Sequence, residues 1–137
     1  MKILIAISIV IALTSAGLAQ PRQIKIKLRK NPDAMKSEIE RLIPIGTDVS
    51  TARRIMEANK FICQPLTNYN FTTGTEDKPG EEYKNVDFLS CELHKSTLAG
   101  FINPRRLFYM REWKIAFVKK NDVITDILVY VGWFCDL

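Results

Sequence analysis

One histidine and three cysteines carry most of the reactive chemistry this chain could offer: His94, Cys63, Cys91 and Cys135. A cysteine nucleophile needs a base within hydrogen-bond reach. Cys91 and His94 are three apart, and on a strand that spacing sends the side chains to opposite faces, so they could not share a proton. His94 is expected to end a strand in water. Carboxylates pair up at Glu81-Glu82 and at Asp122 and Asp126, but in or near loops. A glycosidase needs two carboxylates about 5–10 Å apart across a cleft, and solvated charge is the simpler reading. The sequence has no CxxC or HxxxH spacing, no Gly-rich phosphate loop, no GxSxG and no HExxH. The expectation is therefore no catalytic residue, no metal ligand and no cofactor.

The cysteines point to a crosslink. Three of them allow three single pairings. Cys63 and Cys91 each sit in a short strand-like run, and facing Cα atoms of adjacent antiparallel strands come within disulfide reach. Cys63–Cys91 is the expected bridge. Cys135, beside Trp133 and Phe134, reads as a buried thiol, with an intermolecular bridge as the sharper alternative.

A disulfide presupposes an oxidising compartment, and the N-terminus supplies the route. Met1-Lys2 precedes an apolar run over residues 3–13, broken only by Ser8, and then Thr14-Ser15-Ala16-Gly17-Leu18-Ala19. That is the layout of a secretory signal peptide over residues 1–19, cut after Ala19 or, as the alternative, after Ala16. The stretch is shorter than the about 20 apolar residues of a spanning helix. With no Cys directly at the cut, the expected product is periplasmic or secreted, free of a lipid anchor and of any membrane span.

The 137 residues suit one domain. Lys and Arg total 20 against 15 Asp and Glu, a net charge of +5 that becomes +4 once Lys2 leaves with the leader. Basic residues gather at Lys25, Lys27, Arg29 and Lys30, and again at Arg105, Arg106, Arg111 and Lys114, with Tyr109 and Trp113 around Arg111. They could form a positive surface. Strand aromatics facing a core with cations outside is the simpler reading at so small a net charge, and export argues against nucleic acid. Asn70-Phe71-Thr72 fits the N-glycosylation pattern.

These residues need elements to hold them. Residues 20–30 form an arm or edge strand, because 24–29 alternates apolar and basic. Residues 31–137 form the domain. Asn31-Pro32-Asp33 starts a helix as cap, first-turn proline and first-turn acid; Met35, Ile39, Leu42 and Ile43 make its apolar stripe, and Pro44 ends it. Gly46 turns the corner, Thr47 or Asp48 caps a second helix running to about Ala58, and Asn59 or Lys60 turns the chain out. Beyond Phe61 the period is that of strands. Residues 68–85, with Pro79-Gly80, read as a long mobile loop and 86–93 as a strand. The runs 107–118 and 123–134 form a hairpin around Lys119-Lys120-Asn121-Asp122. The predicted fold is α+β, two N-terminal helices packed on one face of an antiparallel sheet of about four strands.

The stretch Leu42-Ile43-Pro44-Ile45-Gly46-Thr47-Asp48-Val49-Ser50-Thr51-Ala52, followed by Ile55-Met56 and Phe61, resembles the helix–Gly–helix entry of BamE (SmpA/OmlA) proteins. Those are small bacterial envelope lipoproteins with two helices on a three-stranded antiparallel sheet. This chain departs in lacking the acylated Cys and in having Asn59-Lys60-Phe61 where Gly-x-Pro is usual. The resemblance implies an exported binding or adaptor module whose partner is another envelope or secreted protein. Its contact surfaces are expected on the uncovered sheet face and the 68–85 loop. An inhibitor of a secreted enzyme, or a small hydrolase using Cys135 or a carboxylate pair, is the alternative. The oligomeric state is left open.

Overall fold

A computed structural model describes residues 23–96 and 109–135. The leader and its cleavage, the 97–106 connection, and the basic pair Arg105-Arg106 lie outside the described residues.

Two helices precede four strands: α1 (Pro32–Leu42), α2 (Val49–Ala58), β1 (Ile62–Gly74), β2 (Pro79–Ser96), β3 (Tyr109–Lys120) and β4 (Val123–Cys135). This is the expected α+β order. Asn31 caps α1, its side-chain oxygen accepting from the amides of Asp33 at 2.8 Å and Ala34 at 3.1 Å. Met35 and Ile39 fall on the buried stripe of α1, and Ala52 and Met56 on that of α2. Asp48 holds the cap position of α2 without a side-chain bond to its amides. Instead the corner docks by backbone on the β3–β4 hairpin: Gly46 N–H donates to the Ile124 carbonyl at 2.9 Å and Val49 N–H to the Asp122 carbonyl at 3.0 Å.

The strands run as an antiparallel meander, β1-β2-β3-β4. The β3–β4 turn has Asn121 and Asp122 both left-handed, φ 52° and 61°, the two-residue geometry that matches strand twist. A parallel bridge, Gly74 to Tyr130, joins the far end of β1 to β4 and curls the sheet round on itself. Each face carries a core. Met35, Ile39, Ile43, Ala52 and Met56 pack on Leu89, Cys91, Trp113, Ile115, Phe117, Ile127 and Val129. On the second face Phe71, Phe88, Ala116 and Leu128 are buried, with Leu66, Tyr83, Val86, Val118 and Tyr130 packed against them. Phe88 meets the edges of Tyr69 and Phe71 at 6.5 and 5.7 Å between ring centroids.

One expectation needs correcting. Residues 68–85 are not a loop. β1 runs to Gly74 and β2 starts at Pro79, so Thr75–Lys78 is the whole connection, closed by Thr75 N–H to the Lys78 carbonyl at 3.0 Å. Its turn-rich composition marks bulges inside a long hairpin: the β1–β2 register slips at three places, and Asn68 and Asn85 take positive φ. Between arm and edge strand, the described residues 23–30 form an arm that joins no ladder. It is pinned by side chains: Asn59 accepts from Ile26 N–H at 2.8 Å and donates to the Ile24 carbonyl at 2.7 Å, and Trp113 Nε1 donates to the Arg29 carbonyl at 2.8 Å. Of the two residues offered for the exit from α2, Lys60 takes the left-handed conformation, φ 72°.

Candidate functional site

Alternation along β2 puts Leu89, Cys91 and Leu93 toward the helices and Ser90, Glu92 and His94 on the second face. Cys91 and His94 therefore point apart. Cys91 lies directly opposite Cys63 in the β1–β2 register, with Cα atoms 4.1 Å apart and the sulfurs at bonding distance as a disulfide. Cys135 ends β4 opposite Tyr109, and its side chain lies outside the described residues. Glu81 and Glu82 are neighbours on β2 and point to opposite sides of that strand. Asp122 sits in the β3–β4 turn, while Asp126 lies 3.9 Å from Lys36 Nζ and accepts from Ile127 N–H.

The polar gathering lies at the other end of the second face from Phe71 and Phe88. Register pairs Glu92 with Lys114 and His94 with Glu112 across β2 and β3, and Tyr130 with Lys114 and Gly132 with Glu112 across β3 and β4. All these side chains share one face. His94 Nε2 lies 3.3 Å from Glu112 Oε1 and 3.7 Å from Glu92 Oε2, and Lys114 Nζ lies 3.4 Å from Glu112 Oε1. Glu112 is buried, only 7% exposed, while His94 and Glu92 open to solvent. Tyr130 folds back along its own strand, its ring lying where a Cβ on Gly132 would stand. Lys114 Nζ is 5.8 Å from the centroid of that ring. Burial pushes the Tyr130 phenol up, with the carboxylates of Glu76, Glu112 and Asp77 adding to the effect and Lys114 opposing it. It stays protonated at neutral pH. The Gly74–Tyr130 bridge brings the β1–β2 turn, with Glu76 and Asp77, toward this cluster.

A second arrangement lies on the helix-facing side. Arg111 stacks 4.2 Å over the Trp133 ring, which sets a charged head against an aromatic face.

Sequence reasoning placed His94 alone at a strand end and missed its neighbours. The signal was present: Glu92-x-His94 and Glu112-x-Lys114 are spacings of two, which put both members on one face of a strand. What the sequence lacked was the register that lays one pair against the other. Among the described residues, Glu92, His94 and Glu112 are the group whose atoms could jointly hold a metal ion.

No helix among the described residues is long and apolar enough to cross a membrane. No protein-family model matches the chain, and no curated protein or solved structure matches it.

Proposed function

We propose that this chain is an exported binding module that works by contact with another protein of the cell envelope or extracellular space, through the outer half of its β1–β2 hairpin. The observation that carries the reading is the hairpin's construction. Its root is crosslinked at Cys63–Cys91, and its far half leaves the helices and curls over the second sheet face. That gives a preformed surface on a rigid scaffold, where recognition residues commonly sit.

The charge of this surface differs from the rest of the chain. Residues 67–87 hold five acids and two lysines within a chain of net charge +5. Glu76, Asp77, Glu81, Glu82 and Asp87 are all exposed, and Tyr69 beside them is 56% exposed. An aromatic anchor amid acids suits a partner with a basic surface. A basic loop entering an acidic cleft would mark the inhibitor alternative, and this surface has the opposite sign. The N-terminal apolar run supports export, as does a disulfide. The helix–Gly–helix similarity to BamE proteins supports a contact role in the envelope, here with four strands in place of three.

The test is photo-crosslinking in the source cells from a reactive residue replacing Tyr69, with a second probe replacing the exposed Arg54 of α2. A discrete adduct from position 69, lost when Glu81→Lys and Glu82→Lys are introduced together, is expected. An adduct from position 54 alone, or one indifferent to the charge reversal, overturns the assignment.

A further inference from the structure

We infer that Glu92, His94 and Glu112 form a binding site for one divalent transition-metal ion of the zinc type. The inference is independent of the contact role proposed above. The ligand-bearing atoms lie within 4.8 Å of one another, with His94 Nε2 at 3.3 and 3.7 Å from the two carboxylate oxygens. A tetrahedral ion with N and O ligands at about 2.0–2.2 Å holds those ligands about 3.3–3.6 Å apart. Two of the three edges are thus already close to the required length. Small side-chain rotations of the solvent-open Glu92 bring in the third.

The ligands rest on a firm base. His94 and Glu112 are direct register partners, and Glu92 is two residues from His94 on the same strand, so backbone pairing fixes all three Cα positions. Glu112 is buried in the sheet, which limits the rotamers it can take. Charge balance favours a cation, because Glu92 and Glu112 bring two carboxylates together and the ammonium of Lys114 reaches Glu112. An imidazole nitrogen among the ligands selects a zinc-like ion over magnesium or calcium, which prefer oxygen alone. Three protein ligands leave a fourth position facing solvent, for water or a group from outside.

Lys114 gives the proposal its sharpest test. Its ammonium competes with the ion for Glu112, so removing that charge must tighten binding. The experiment titrates the untagged, chelator-treated chain with zinc chloride by calorimetry, alongside thermal unfolding and near-ultraviolet circular dichroism to confirm folding. Expected are one zinc per chain, a raised Tm, loss of both in His94→Ala, weakening in Glu92→Gln and a higher affinity in Lys114→Gln. Magnesium chloride leaves the folded chain unchanged. Absence of stoichiometric zinc binding by the wild-type chain overturns the proposal. So does binding that persists in folded His94→Ala, or that does not respond to Lys114→Gln, either of which marks an adventitious ion only.

Discussion

Asn59 does more for this fold than its place at a helix end suggests. Its amide accepts from Ile26 N–H and donates to the carbonyls of Ile24 and Ile55, so one side chain ties the arm to α2. Asn59→Ala leaves the Ile26 N–H and the Ile24 carbonyl to find water, while the Ile55 carbonyl keeps its bond from the residue 59 amide, at a cost of about 1–3 kcal/mol. Urea denaturation should show that loss, and faster amide exchange at Ile26 should locate it. Glu38 makes a pH-dependent counterpart. It is buried on α1, accepting from Arg41 Nη2 at 2.9 Å and from Lys27 N–H at 3.2 Å. The Arg41 hydrogen bond, outweighing burial and joined by the Lys27 amide, holds its carboxyl below the ordinary value. Its folded pKa is therefore lower than its unfolded one. The resulting stability is present above the usual glutamate pKa of about 4.3 and is lost as pH falls through the folded value. Unfolding free energies measured between pH 6 and 2 should fall less steeply for Glu38→Gln than for the wild type.

At the scale of elements, the helices were legible and the long hairpin was not. Asn31-Pro32 and the Met35/Ile39 stripe specify α1 through local chemistry, capping and periodicity, which need no distant partner. The β3–β4 hairpin was equally local, since Asn121-Asp122 suits its left-handed turn. The stretch 68–85 holds Asn, Gly, Pro and charge, and only cross-strand pairing makes it a sheet. That pairing, and the curl that brings Gly74 to Tyr130, is long-range and invisible to a window along the chain. The same limit hid the Glu92, His94 and Glu112 cluster. Gly74 is where the curl depends on one residue: its φ is 96°, and a Cβ there would collide with the carbonyl of Lys78. Gly74→Ala should destabilise by at least about 1–2 kcal/mol, the cost of a left-handed backbone for an L-residue. The loss should be read in denaturation midpoint, with the methyl signals of Leu128 shifting as the second-face core loosens.

The described residues form a four-stranded sheet with a core on each face and a crosslink at the root of its first hairpin. Cys63–Cys91 closes a loop with a sequence separation of 28, so chain-entropy arguments assign it about 3–4 kcal/mol. Paired Cys63→Ser and Cys91→Ser substitutions should lower stability by that order, and wild-type chain in reductant should match the double variant. The contact role rests on the hairpin being a preformed surface held over the second face. Amide hydrogen exchange read by mass spectrometry tests that most directly. Peptides covering residues 69–74 and 81–88 should be protected to nearly the level of β3 and β4; exchange of both within seconds, at the rate of an unstructured loop, would contradict it.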